Sequence, residues 1–225
     1  DGASGDAELA RISRGLTSEM IAAVAKIMSN LDLIAAAAKI HVPTRCNSVI
    51  GQPGVLASRA QPNHPADQLA GIRASLYEAL SYGVGDAVIG VNPVIDTTES
   101  VRDIMLMTKE VITRWNIPTQ NCVLAHVTTQ MRAIRQGGTA DLVFQSIAGT
   151  QAGNEAFGID AKLLDEADEL MRKEGTAPGP NIWYFETGQG SELSSDAHAG
   201  IDQVTLEARC YGFAKRYNPF IVNTV

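Results

Sequence analysis

Asn181-Ile182-Trp183-Tyr184-Phe185-Glu186-Thr187-Gly188-Gln189-Gly190 decides how the rest of the chain is read. It opens as an apolar and aromatic run of strand length between Pro180 and Gly188, the pattern of a strand buried on both faces. Glu186 then stands at the end of the run, where the chain turns into a loop of Gly, Gln and Ser. A carboxylate at the tip of a buried strand is costly to desolvate unless something cationic meets it. Two readings stay open: an acid held by loop amides or an Arg for structural reasons, or a binding group at the mouth of a parallel α/β fold.

Outward from that stretch an alternation of strands and helices sets in. Residues 55–61 read as a strand after the turn Gln52-Pro53-Gly54. A helix follows from about Pro65, with Leu69, Ile72, Leu76 and Leu80 on one face and Gly83 as its stop. Residues 87–92 form a second strand closed by Pro93. Asp96 is placed to cap the next helix, with Glu99 three residues on and Val101, Ile104, Val111 and Trp115 as its buried stripe. Residues 122–127 and 142–147 are the third and fourth strands, the former followed by a short helix ending at Gly137-Gly138. Asp160 caps a helix with Leu163, Ala167 and Leu170 inward; the opening stretch is the fifth strand, and a helix over 202–217 leads to a sixth at 220–225.

Before the alternation, residues 18–28 carry Met20, Val24 and Ile27 at helical spacing. Ser29-Asn30 offers a break and a new cap, and Leu31, Ile34 and Ala38 continue a second helix to about Ile40. These read as packing helices over the bottom of the domain. The chain thus divides into an N-terminal helical segment, 1–45, and a domain of alternating strands and helices, 46–225.

Six apolar strands separated by helices, without hairpin signals, make parallel βαβ units. Five of the six carry polar side chains at their ends: Arg59 and Gln61, Asn92, His126, Gln145, and Glu186. That pattern favours a (β/α)8 TIM barrel with its site at the strand tips, although a doubly wound sheet places ligands there too. Six strands do not close such a barrel, and the run at 220–225 stops without a turn signal. The expectation is an incomplete barrel in a C-terminally truncated piece.

Composition bounds the rest. At 225 residues, 45% hydrophobic and 19% charged, the chain has the make-up of a soluble globular protein. A net charge of -7 with no offsetting basic stretch argues against a nucleic-acid binder. No apolar run approaches the roughly 20 residues of a membrane span, and no segment has the signal-peptide pattern. Cys46, Cys122 and Cys210, odd in number and far apart, read as reduced thiols of a cytoplasmic protein. No histidine spacing suggests a metal site, and His126 reads as a satisfied core histidine. Asp196-Ala197-His198-Ala199-Gly200 is one residue short of the motif through which some cobalamin enzymes bind cobalt, so no metal ligand is assigned.

At the tips, Arg59 and Gln61 are two apart and share a strand face. They offer a fixed cation and an amide, with Arg59 a natural partner for Glu186. Asn92 is held extended by Pro93 and serves either a small polar substrate or the loop.

Three blocks of the sequence resemble the large subunit of ethanolamine ammonia-lyase: residues 53–65 with Arg59-Ala60-Gln61-Pro62-Asn63, residues 82–93 ending in Gly90-Val91-Asn92-Pro93, and residues 117–129. Phe144-Gln145-Ser146-Ile147-Ala148-Gly149, the opening stretch through Gly200, and the last residues continue the likeness, which runs from about Leu16 to Val225. The resemblance implies a TIM barrel binding adenosylcobalamin across its strand tips, a small-subunit partner, association of large subunits, and radical deamination of ethanolamine to acetaldehyde and ammonia. It implies that Arg59 and Asn92 hold the substrate hydroxyl and that Gln61 and Glu186 hold the amino group. Pro93, Gln145 and Ser194 match cofactor-lining positions, and Phe157 and Val225 match the pocket wall. A further substrate-binding aspartate is expected beyond Val225, and the piece alone is expected to be inactive. Location inside a protein-shelled bacterial microcompartment is left open, as are a cobalamin-independent TIM-barrel lyase or aldolase and an inactive subunit.

Overall fold

The computed structural model describes residues 5–224. Its elements in order are α1 (Asp6–Ser13), α2 (Ser18–Ile27), α3 (Asn30–Ala37), β1 (Thr44–Arg45), β2 (Val49–Ile50), β3 (Arg59–Ala60), α4 (Leu69–Ser81), β4 (Val88–Val91) and α5 (Thr98–Trp115). There follow β5 (Asn121–Val123), α6 (Val127–Arg135), β6 (Val143–Ile147), α7 (Gln151–Ala156), α8 (Ala161–Glu174), β7 (Trp183–Thr187), α9 (Glu192–Ser195), α10 (Gln203–Ala214), a 3-10 turn (Lys215–Tyr217) and β8 (Ile221–Thr224).

β3 to β8 are the six expected strands, all parallel, in two sheets ordered β3-β4-β5 and β6-β7-β8. The Leu142 amide donates to the Asn121 carbonyl at 3.1 Å and joins the two sheets. Side chains alternate across this row as the two-residue period requires. Ile89, Val91, Val123, Val143, Ile147, Trp183 and Phe185 enter the cluster shared with the helices. Val88, Cys122, Leu124, Leu142, Phe144 and Tyr184 enter a second cluster on the concave side, with Cys46 and Phe220. β7 shows why its sequence lacks a polar face: Trp183 stacks on Phe185 among the helices at 4.7 Å, while Tyr184 meets Phe144 edge-on at 5.5 Å on the other side. Among the described residues the row remains an open trough rather than a closed barrel.

Several local expectations are corrected. A hairpin, β1–β2, closes the N-terminal ends of the strands, where no hairpin was read. Asn47 reaches the Thr119 carbonyl and Asp141, Ser48 the Asp86 carbonyl, and Thr44 the Phe220 carbonyl. The N-terminal helices therefore do not cover the bottom; α2 lies along α10, tied by Lys26–Asp202 and Glu19–Arg209. Much of their apolar stripe is exposed, Ile27 by 85% and Leu31 by 77%. α5 is capped by Thr97, whose hydroxyl accepts from the Ser100 amide, and not by Asp96. Trp115 ends α5 61% exposed instead of on its buried stripe. The strand expected over 55–61 shrinks to Arg59–Ala60, and that over 122–127 stops at Val123 because His126 already caps α6. The expected caps at Ser29, with Asp32 as a capping box, and at Asp160 are present. No helix among the described residues is long and apolar enough to cross a membrane.

Candidate active site

Arg59 opens β3, the first parallel strand, and Glu186 lies near the end of β7, the fifth. In a flat sheet, four spacings would separate them by roughly 19 Å. Instead Arg59 Nη1 donates to Glu186 Oε1 at 3.2 Å, and this contact measures how strongly the row curls. Both side chains are largely covered, with 19% and 15% of their surface accessible.

Tyr184, two residues before Glu186 on the same face, completes a triangle. Arg59 Nη1 donates to its hydroxyl at 2.9 Å, and the hydroxyl donates to Glu186 Oε1 at 2.9 Å. Burial pushes the Tyr184 phenol well above its ordinary range; nearby Arg59 lowers it and Glu186 raises it again. The group stays a neutral donor. On the other side, Arg59 Nη2 donates to the Gly90 carbonyl at 3.4 Å and to Asn92 Oδ1. A guanidinium only donates, so the Asn92 oxygen must face it and the amide nitrogen faces away. Both terminal nitrogens of Arg59 are thus held by the chain, while its Nε is buried without a partner.

Room for this cation comes from Gly90, where a Cβ would lie 2.8 Å from Arg59 Nε and 3.2 Å from Leu124 Cδ1. The loop after β3 steadies the loop after β4: Asn63 Oδ1 accepts the Asn92 amide at 2.9 Å, and Asp67 accepts the amides of Val94 and Ile95. Asn223 on β8 shares the register level of Glu186 and reaches its Oε1 at 3.5 Å. Glu186 Oε1 therefore takes three donors, whereas Oε2 receives no hydrogen bond from the described residues.

The structure brings Arg59, Asn92 and Glu186 together, with Pro93 next to Asn92. Gln61 is exposed just past β3. Gln145 shares the face of Val143 and Ile147, and its Oε1 accepts the Val127 amide at 2.9 Å at the start of α6. Its side chain therefore points away from the concave face that holds Glu186. Ser194 is buried, its hydroxyl donating to the Gly188 carbonyl at 2.6 Å. The Phe157 ring packs on Gly188, where a Cβ would meet it at 2.4 Å. Val225 lies outside the described residues. His126 is satisfied as expected, with Nε2 on the Phe157 carbonyl and Nδ1 accepting from Thr128. No cluster suited to a metal ion occurs among the described residues.

Tyr184, Gly90, Asn63 and Asn223 were not singled out as site residues from the sequence. For Tyr184 a signal existed, its two-residue spacing from Glu186. For Asn223 the signal was the polar interruption of an apolar terminal run.

A row of parallel strands, helix-covered outside and carrying a braced carboxylate at its C-terminal mouth, defines a parallel α/β protein with a cluster of polar side chains at the strand tips. The family model described as "Ethanolamine ammonia lyase large subunit (EutB)" matches residues 2–225. The chain is 53% identical over 218 residues to the ethanolamine ammonia-lyase large subunit of Escherichia coli (strain K12), which covers 97% of this chain and 48% of that protein. Identity to the large subunit from Salmonella typhimurium is 51%, with the same coverage. The chain belongs to the ethanolamine ammonia-lyase large-subunit family, and it spans about half the length of the curated relatives it matches.

Proposed function

We propose that this chain carries the amino-alcohol site of an ethanolamine ammonia-lyase, converting ethanolamine to acetaldehyde and ammonia. One observation supports this above the others: Glu186 is held by three donors on Oε1, while no described residue donates to its Oε2. A fixed carboxylate oxygen in a partly desolvated site suits a small ammonium, because a charge-assisted hydrogen bond there is stronger than one in water. The Asn92 amide nitrogen, turned away from Arg59, donates to the substrate hydroxyl. Arg59 acts mainly as the brace that sets both groups, a narrower role than the direct hydroxyl contact implied by resemblance. Gln61 contributes from the exposed segment beyond β3.

The residues also fit adenosylcobalamin. The Glu186 oxygen that no described residue donates to, and the exposed Asn223 amide beside it, offer an acceptor and a donor of the kind that ribose hydroxyls and amides engage. Pro93 and the loop around Ser194 would help to hold the group. Gln145 acts through the α6 start it anchors. When bound, the cofactor supplies radical chemistry through its cobalt–carbon bond. The chain's own work is to fix both ends of the substrate and exclude water, positioning that is worth up to roughly 7–11 kcal/mol at best. In this reading the six parallel units are part of a (β/α)8 barrel, with a small subunit as partner, further large subunits alongside, and a cytoplasmic setting.

The test is Glu186→Gln in the full-length polypeptide, assayed for acetaldehyde with adenosylcobalamin and the small subunit. Loss of the charge is expected to cut kcat/KM by more than tenfold, about 1.4 kcal/mol. Wild-type turnover by the variant would exclude the ammonium role.

A further inference from the structure

We infer that Tyr184 is a positioning residue for the reaction: its hydroxyl closes Glu186 Oε1 and leaves Oε2 as the one carboxylate oxygen able to receive the substrate's ammonium. The inference deepens the proposed function and rests on it. Its direction follows from valence alone. Arg59 only donates, so its hydrogen bond to the Tyr184 oxygen, at 2.9 Å, fills an acceptor position of that hydroxyl. The single phenolic hydrogen is then directed to Glu186 Oε1, also at 2.9 Å. The ring cannot swing away, because it is 2% exposed, meets Phe144 edge-on at 5.5 Å, and has the Arg59 guanidinium 5.6 Å from its centroid. Burial holding the phenol neutral keeps the donor in place at working pH.

Without the hydroxyl, Glu186 keeps the guanidinium at 3.2 Å and the longer Asn223 contact at 3.5 Å. Neither fixes the rotation of the carboxylate as a donor two residues away on the same rigid strand does. The carboxylate then turns both oxygens toward the cation, and the ammonium loses an aligned acceptor. Tyr184 touches no substrate in this arrangement; it acts through Glu186.

The experiment uses the full-length polypeptide with its small subunit and adenosylcobalamin, comparing wild type with Tyr184→Phe. Two inhibitors of ethanolamine turnover separate the ends of the site: ethylamine carries only the ammonium, and ethylene glycol only hydroxyls. Tyr184→Phe is expected to raise the ethylamine inhibition constant and the KM for ethanolamine about tenfold, the loss of one hydrogen bond to a charged group, and to leave ethylene glycol inhibition within twofold. Equal change for both inhibitors, or no change for either, overturns the inference. Tyr184→Met, which keeps an apolar side chain against Phe144, is the second variant and carries the same expectation. Failure of both variants to fold assigns the hydroxyl to the fold and overturns the inference as well. A wild-type protein that neither turns over ethanolamine nor binds ethylamine instead removes the reading beneath it.

Discussion

Arg59 and Glu186 come from the first and fifth parallel strands, yet their side chains meet at 3.2 Å across the concave face of the row. The pair is mostly covered, so each charge depends on the other for solvation. Arg59→Met leaves Glu186 facing Tyr184 and Asn223 alone and is expected to lower unfolding stability by about 2–3 kcal/mol, less than the loss of roughly 3–5 kcal/mol for a fully buried pair because water reaches both groups. Arg59→Met combined with Glu186→Gln removes the stranded charge and is expected to recover at least half of that loss. Urea unfolding of Arg59→Met, Glu186→Gln and the double variant completes the cycle, and additive losses would deny the coupling.

Gly90 sets where that cation can lie. Its Cβ position is 2.8 Å from Arg59 Nε and 3.2 Å from Leu124 Cδ1, so Gly90→Ala must push one of them. The expected outcome is a loss of about 1–3 kcal/mol from overpacking, together with a fall in kcat/KM of tenfold or more as Arg59 leaves its contacts with Asn92 and Glu186. Thermal melting and a steady-state assay measure the two effects. Unchanged kinetics in a destabilised protein would show that Arg59 keeps its place.

How far the sequence foretold this architecture depends on the range of the forces involved. The six parallel strands and the acid at the tip of β7 were legible, because burial on two faces writes itself as uninterrupted apolar runs. So was the meeting of Arg59 with Glu186, since a buried acid demands a cation. The side taken by Gln145 was not. It sits in the middle of β6 rather than at its tip, and its parity with Val143 and Ile147 turns it to the α6 amide of Val127; only the register of β6 against β7 fixes that parity. The hairpin β1–β2 was hidden for a related reason. Its two-residue strands are held by remote groups such as Asp141 and the Thr119 carbonyl, not by local alternation. Thr97 rather than Asp96 caps α5 because the cap is decided by where the first turn starts, a matter of one residue.

Asp141 is fully buried two residues before β6 and collects donors from four segments: Lys109 Nζ at 2.6 Å, Thr176 Oγ1 at 2.7 Å, Asn47 Nδ2 at 2.9 Å and the Asn121 amide at 3.1 Å. This carboxylate ties the β1–β2 hairpin to α5 and to the bottom of the strands. Asp141→Asn keeps the shape, strands the Lys109 charge and sets an amide against donors. A loss of about 3–5 kcal/mol is expected, measured by urea unfolding. A loss under about 1 kcal/mol would mean that the hairpin is held by its other contacts.

The three thiols make a prediction in pH. Cys46 and Cys210 are pushed up to about 12, chiefly by burial, with Asp141 adding to the effect at Cys46 and a hydrogen bond with Gln189 opposing it at Cys210. Burial raises Cys122 further still. Against an ordinary thiol near 9.0, a shift to about 12 cuts the thiolate fraction roughly a thousandfold at pH 8. Alkylation by iodoacetamide is therefore expected to be slow in the native protein and complete for all three in urea. Linkage gives the same groups a second readout. The unfolded chain begins to release these protons near pH 9 while the native chain still holds them, so it binds fewer protons between about 9 and 12 and stability falls as pH rises through that window. Each thiol contributes up to several kcal/mol to that decline. Replacing Cys210 with Ala removes its share, so the variant's alkaline loss of stability should be visibly shallower than wild type. A slope unchanged between pH 9 and 11 would mean that the Cys210 thiol ionises in the native state as easily as in the unfolded one.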